Sequence, residues 1–414
     1  MRKIKKKFLV SAYGCEPNKG SEPGIGWQWS LQLAKFGEVH IITRKNNKEV
    51  ISKTLSTMPK EISSKLYFYY YDTNKFIKSI KKGDNNLYPY YFCWQIGAYR
   101  LAKRISRDIT FDYCFALTFG SIWMPTFMYK LNIPFVWGPI GGGEAIPDEY
   151  FQLIGKKSAL IQKIRKVMMK TVSINPLIIR PLKKSKIVIA RTDDTVKVIP
   201  KKYRDKVKTC LETSIDLREI QPKEYKINNI NEGKISFIYT GRLINIKGIE
   251  LIIRAIPNLI NKDKVKLILV GDGPQKKYLQ DLSEKLNILN NIYFVGKINR
   301  TNLLNLLRQS DVFIFPSLKE GGSWALMEGM GASLPVICLD SSGMHIITDE
   351  TCAIRIPVQG IDETIKAYAE AMDKLIKNRD IRIKMGNNSR RRIEQEFNWN
   401  KKGDFLLKEI LNKG

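Results

Sequence analysis

The chain has 414 residues, a net charge of +30, 43% apolar content and 10% aromatics. That length supports two or three domains with their own cores, and the composition excludes a disordered or fibrous chain. No run approaches the roughly 18 apolar residues a membrane-spanning helix needs, and two histidines without a Cys-x-x-Cys pair make a zinc site a poor fit.

The charge is uneven. Residues 1–210 hold 39 of the 70 Lys and Arg but only 15 of the 40 Asp and Glu. A lysine-rich proteome would account for part of the total, but the asymmetry points to an anionic partner for the first half: a membrane surface, a phosphorylated substrate or nucleic acid. The six cysteines read as reduced thiols of a cytosolic protein. The start, "MRKIKKKFLVSAYGCEP", imitates a signal peptide, but its apolar run is short and meets a Gly/Pro loop. It reads as a buried first strand over 8–14.

From there the elements alternate. A helix is expected from 25 to 37, then strands at 38–44, 66–72, 112–117, 134–139 and 186–190. Helices fall near 46–57, 90–107, 121–131 and 150–172. The polar stretch 212–233 reads as a linker. Beyond it, strands at 235–241, 265–273, 292–296, 312–316 and 335–340 are separated by helical spacings at 247–260, 274–286 and 302–310. Continuous apolar strands alternating with helices imply parallel sheets covered on both faces. The fold class is therefore α/β, with two Rossmann-like domains and a cleft between them. Ligands of such sheets bind beyond the carboxyl ends of the strands.

Two strand-end loops stand out. "EGGSWALMEGMG" (320–331) places Glu320 before Gly321 and Gly322, with a helix expected to start near Ser323. Glycines let a ligand approach the backbone, and a helix N-terminus favours an anion. Glu328 falls in the second turn of that helix. Carboxylates for hydroxyls and glycine amides for phosphate suggest a nucleotide-sugar. The plainer reading has Glu320 as a loop acid and Glu328 as a surface residue of the helix. In "GRLINIKG" (241–248), Arg242 and Lys247 suit a diphosphate, one as a planar fork and one as a point charge; either alone would pass as a solvated surface cation.

The segments "YTGRLINIKGIELIIRAIPNL", "LILVGDGP", "NIYFVGKI" and "SDVFIFPSLKEGGSWALMEGMGASLPVI", in that order, resemble the donor-binding half of retaining GT-B glycosyltransferases, specifically glycosyltransferase family four. The first half is similar to a bacterial surface-polysaccharide branch through "SAYGCEPNKGSEPGIGWQW", "LTFGSIWMP" and "PFVWGPIGGGE". The resemblance implies a GT-B fold, with an acceptor-binding domain at 1–211, a linker at 212–233 and a nucleotide-sugar domain at 234–396. Residues 397–414 would pack back on the first domain. It further implies that Arg242 and Lys247 grip the donor diphosphate and that Glu320 bonds the transferred sugar. The amides of Gly321, Gly322 and Ser323 would hold sugar and phosphate, and Glu328 would accept ribose hydroxyls. The turn from Gly241, and that of Gly296, Lys297 and Ile298 beside the nucleobase, would complete the donor site, with Gly24 and Gly26 in a loop over the phosphates. Thr118, Gly141, Gly142, Gly143 and Glu144 would face the acceptor. No cofactor and no metal are expected; the donor would be a UDP- or GDP-sugar, and transfer would be retaining and front-face.

One family mark is missing. Many relatives carry a histidine just before the Thr of the "LTFG"-like segment, where this chain has Phe115 and Ala116. Neither His40, read as a packed strand residue, nor His345, read as a loop residue, takes its place. The chain is then either a transferase that works without it or a catalytically degenerate member that binds a nucleotide-sugar or supports a partner. On the acceptor side, the stretch 155–170 puts Leu160, Ile164, Val167 and Met168 on one helical face, with Lys156, Lys163, Lys166 and Lys170 mostly elsewhere. An ordinary core-facing helix is the plain reading. Together with "MRKIKKK" and 75–82, an anionic inner-membrane surface and a lipid-linked oligosaccharide acceptor are the alternative. The expected location is the cytoplasm, peripherally on the membrane. Nucleic acid is not expected, since no recognition motif or aromatic interleaving accompanies the basic runs.

Overall fold

In the computed structural model, residues 6–74, 77, 87–223 and 233–412 are described. Most of "MRKIKKK", nearly all of the basic run 75–82, and 224–232 of the expected linker lie outside them. The chain forms two compact units. The first comprises Met1–Gly143, Val167–Glu212 and Trp399–Gly414; the second comprises Glu144–Lys166 and Thr213–Asn398. Residues 144–166, expected with the first domain, therefore group with the second.

The first unit is built on seven parallel strands: β1 (Lys6–Ala12), β2 (Gly37–Arg44), β3 (Leu66–Tyr71), β4 (Tyr113–Thr118), β5 (Phe135–Ile140), β6 (Ser185–Ala190) and β7 (Val207–Thr209), in the order β3-β2-β1-β4-β5-β6-β7. β4 and β5 are buried along their whole length, which is why their sequences run apolar without alternation. The second unit has six parallel strands: β8 (Ile235–Thr240), β9 (Val265–Val270), β10 (Ile292–Gly296), β11 (Val312–Phe315), β12 (Val336–Leu339) and β13 (Ala353–Ile356), ordered β10-β9-β8-β11-β12-β13. In each sheet the connection direction reverses between the first and fourth strands, β1/β4 and β8/β11. A crevice at the carboxyl ends of the strands opens at such a reversal, so the loops leaving those four strands are the places to look. The α/β, GT-B architecture expected from the sequence is what the two sheets form.

Several elements differ from expectation. The first helix begins at Ser21, four residues early, so Gly24 and Gly26 lie inside it rather than in a loop. Pro23 permits this, because a first-turn N–H has no partner within the helix. The helix expected at 121–131 is reduced to a single tight turn, Met128–Lys130, after Pro125; the residue before a proline is pushed out of helical geometry. The helix expected at 150–172 is split at Gly155, whose φ is +75°, into a tight turn (Asp148–Ile154) and a helix (Lys156–Lys170). The edge strands β7 and β13 are short and only partly buried, so no continuous apolar run marks them. His40 is buried, stacks on Tyr67 with ring centroids 4.6 Å apart, and its Nδ1 lies 3.0 Å from the Tyr69 hydroxyl. Burial lowers its pKa, as befits a packed strand residue. His345, expected in a loop, lies in the short helix Ser342–Ile347, exposed and 2.6 Å from Asp340.

Candidate functional site

The second unit gathers its charged strand-end residues at the β8/β11 reversal. The loop after β8 contains a tight turn, Asn245–Lys247, and ends at Gly248 with φ +61°. A Cβ on Gly248 would sit 2.2 Å from the Pro316 carbonyl oxygen, so the two loops touch through bare backbone. The Leu318 N–H donates to the Ile246 carbonyl over 2.9 Å, which fastens them. Across this seam Lys247 Nζ donates to Glu320 Oε1. The Ser317 hydroxyl donates to the same oxygen over 2.8 Å. Lys247 also lies 5.6 Å from the centre of the Phe315 ring. Both charged side chains are largely but not wholly buried. A cation and a carboxylate held in partial burial attract more strongly than a surface pair and are less screened by salt.

The glycine pair follows. Glu320's carbonyl accepts the Gly343 N–H at 3.2 Å, and a Cβ on Gly343 would fall 1.7 Å from the Gly321 carbonyl oxygen. The loop after β12 thus buttresses the glycines from beneath. Ser323 caps the helix Trp324–Gly331, its hydroxyl accepting the Leu326 N–H at 3.3 Å. The Ser323 side chain is therefore committed to the cap, while Gly321 and Gly322 lead directly into the helix N-terminus, where backbone N–H groups and the dipole favour negative charge.

Glu328 is a buried residue, which removes the surface reading. Arg300 Nη1 donates to its Oε1 at 2.6 Å, and Arg300 Nε to Glu219 at 2.9 Å. Burial raises the Glu328 pKa, and Arg300 opposes that rise. A buried carboxylate backed by a guanidinium is a fixed hydrogen-bond acceptor. At the other side of the reversal, Gly241 and Gly271 leave β8 and β9 with φ of +150° and +132°. A Cβ on Gly271 would lie 1.9 Å from the Gly241 carbonyl, so only glycine allows these strand ends to stack. Gly271's N–H donates to the Gly296 carbonyl over 2.9 Å, and Lys297 and Ile298 follow at the outer end of β10. Arg242 is exposed; its carbonyl accepts the Tyr239 hydroxyl at 3.1 Å. Burial, and secondarily the charge of Glu320, raises the Tyr239 pKa and keeps the phenol a donor.

In the first unit the sequence-selected residues serve backbone packing. Gly26 packs on the loop after β1: a Cβ would meet the Gly14 carbonyl at 2.0 Å. Gly24 is buried beside it. Thr118 accepts the Gly14 N–H at 3.0 Å and donates to the Gly14 carbonyl at 3.2 Å, so its hydroxyl ties β1 to β4. A Cβ on Gly141 would collide with the Arg191 guanidinium at 1.8 Å, and the Gly143 N–H donates to Thr195 at 3.2 Å. Gly142 has φ +127°. Glu144 is fully buried and groups with the second unit. Phe115 and Ala116 are buried in β4.

Several residues escaped the sequence reading. Glu22 stands at the β1/β4 reversal: its Oε1 accepts the Gly120 N–H over 2.5 Å. Burial pushes its pKa up to about 7; the Gly120 hydrogen bond opposes this and Glu212 adds to it. Arg191 bonds Glu212 at 3.3 Å alongside. A lone Glu in "GSEPG" carries no chemical signal until its helix is known to start at Ser21. Arg300 was missed for a similar reason, its partners Glu219 and Glu328 being distant in sequence, and Ser317 because a serine three residues before Glu320 carries no signal of its own. Among the described residues no group of three or more His, Cys, Asp or Glu could hold a metal ion. No helix among them is long and apolar enough to cross a membrane.

Residues 220–392 match the family of glycosyl transferases group 1. An uncharacterized glycosyltransferase of Methanocaldococcus jannaschii is 30% identical over 207 residues, 47% of this chain and 51% of that protein. The chain thus spans about half the length of the curated relatives it matches. The solved structure of WaaG, a glycosyltransferase involved in lipopolysaccharide biosynthesis, superposes with a TM-score of 0.59 at 16% identity, covering 96% of this chain and 99% of that one. HepE of Anabaena, solved in complex with UDP, superposes with a TM-score of 0.63 at 13% identity, covering 99% and 100%.

Proposed function

We propose that the chain is a retaining, metal-independent glycosyltransferase that moves a sugar from a nucleotide-sugar to a hydroxyl of a lipid-linked or polysaccharide acceptor in bacterial cell-surface glycan synthesis. The observation that carries the reading is the Lys247–Glu320–Ser317 cluster, fixed between the two loops of the β8/β11 reversal, directly before a glycine pair at a helix N-terminus. A UDP- or GDP-sugar fits it. Arg242 and Lys247 neutralise the departing diphosphate, Glu320 bonds sugar hydroxyls, and the amides of the glycine loop hold phosphate. Glu328, backed by Arg300, accepts the ribose hydroxyls, with the Gly296 turn bordering the base.

In the transfer, the bond from the anomeric carbon to the phosphate oxygen breaks as the acceptor oxygen bonds to the same face. The acceptor's proton passes to the leaving phosphate. Catalysis is then mostly fixed positive charge around that phosphate, which stands in for a metal. The basic first half supports a position at the cytoplasmic face of a membrane, where a lipid-linked acceptor would lie. UDP-, GDP-, ADP- and dTDP-sugars, each with and without lipid-linked acceptor, test the reading by nucleotide release. Release from one donor, falling about 10²–10³-fold in Glu320→Gln, is expected; unchanged release in that variant removes the donor site.

A second reading has its own observation. Phe115 and Ala116 are buried where the family resemblance implies a histidine, and the Thr118 hydroxyl is committed to Gly14. A nucleotide-sugar binder without turnover would show donor binding by calorimetry, no release across the panel, and weakened binding in Glu320→Gln.

A further inference from the structure

The helix Lys156–Lys170 is amphipathic, but it is set in the structure the wrong way round for a core. None of its residues is buried. Leu160, Ile164, Val167 and Met168 are 59%, 52%, 63% and 45% exposed, and Ile161 is exposed beside them. At about 100° per residue these five fall within one third of the helix circumference. The half-buried face is the other one, carrying Ser158, Gln162, Arg165 and Met169. A water-facing helix of a folded protein turns its polar side out; this one turns its apolar stripe out.

The charges say what covers that stripe. Lys156, Lys163, Lys166 and Lys170 line one border of it; Lys156, Lys163 and Lys170 are exposed, and Lys166, half-buried, pairs with Asp148 at 2.6 Å. Their long stems can lie along an apolar surface while the ammonium groups reach anionic head groups. A second copy of the chain would bring one net charge of +30 against another, with the lysine borders facing each other.

We propose that this helix lies in the head-group layer of an anionic membrane, its Leu160–Ile164–Val167–Met168 stripe toward the acyl chains and its lysine border on the lipid phosphates. The proposal adds the contacting element to the reading of a lipid-borne acceptor given above, and it rests on that reading only for where the acceptor lies. Such a helix binds by its apolar area and its cations together, so both lipid charge and salt must matter.

The test uses the full chain and the variant Leu160→Ser, Ile164→Ser, Val167→Ser. These side chains are exposed, so the variant keeps the fold. Co-sedimentation with phosphatidylcholine vesicles containing about 30% phosphatidylglycerol is compared with pure phosphatidylcholine. The parent should bind the anionic vesicles at least about tenfold better, with affinity falling as salt rises. The variant should lose at least about tenfold on the anionic vesicles while releasing nucleotide with a water-soluble acceptor at the parent's rate. Equal vesicle binding by parent and variant overturns the proposal. So does a parent dimer in sedimentation equilibrium that the variant disperses, since a second copy then covers the stripe. Vesicle binding lost in the variant, with no nucleotide release by either protein, sinks the transferase reading and leaves the membrane helix standing.

Discussion

Glu22 and Glu328 are two carboxyls that burial makes harder to ionise, and they differ in their partners. Glu328 has a guanidinium; Glu22 has one backbone N–H and a neighbouring acid. With a folded pKa of about 7 against an ordinary 4.5, Glu22 keeps a proton in the folded chain that the unfolded chain has released. Its contribution to stability is therefore greatest below about pH 4.5, falls as pH rises, and is lost above about pH 7. The cost at neutral pH has a ceiling of about 3 kcal/mol. Glu22→Gln keeps an oxygen for the Gly120 N–H and removes the proton. Thermal unfolding between pH 5 and 8 should show a flatter pH profile for the variant and a higher melting point at pH 8. A parallel profile would mean that Glu22 ionises as an ordinary carboxyl.

At the scale of elements, the loop after β12 supports the glycine loop after β11. Gly343→Ala would drive a methyl into the Gly321 carbonyl and displace the backbone that precedes the helix Trp324–Gly331. We expect this variant to lose nucleotide affinity by about tenfold or more in calorimetry, while unfolding costs only about 1–3 kcal/mol; unaltered affinity would detach the glycine loop from the ligand. Sequence made this region legible because it advertises itself. Glu320, the glycine pair and Glu328 follow an apolar strand, and Arg242 and Lys247 follow another. It did not show Ser317, an ordinary serine close to Glu320, nor Arg300 and Gly343, whose partners Glu219, Glu328 and Gly321 lie far off in sequence. The strands were legible from long apolar runs. The short edges β7 and β13 and the helix start at Ser21 were not: the equally short β11 and β12 are apolar and buried throughout, whereas β7 and β13 carry charged, partly exposed residues. The face of Lys156–Lys170 was readable as amphipathic, but which side would be covered was not, because burial belongs to tertiary packing rather than to spacing.

On the scale of the whole molecule, the chain leaves its first unit and comes back to it. Trp399–Gly414 belongs to the unit that Met1–Gly143 begins. There Phe405 packs edge-on against Trp29, the Ile410 carbonyl accepts the Tyr113 hydroxyl at 3.1 Å, and Leu406, Ile410 and Leu411 are buried. Truncation after Asn398 should cost the first unit at least about 4 kcal/mol at roughly 1.5–3 kcal/mol per buried aliphatic side chain. Calorimetry would register this as a lowered first-unit transition with the second little changed; an intact first-unit transition would show the return segment to be dispensable.

That return also sets a clock on biosynthesis. A ribosome adding about 5–20 residues per second needs on the order of 10–60 seconds between finishing the first unit's opening segment and delivering its last helix. Through that interval Trp29 and Tyr113 wait without their final neighbours, while most of the second unit, which runs to Asn398, is synthesised in between. The opening segment of the first unit is thus exposed for the whole time that the second unit is being made. It is an open surface for chaperones until Trp399–Gly414 is delivered.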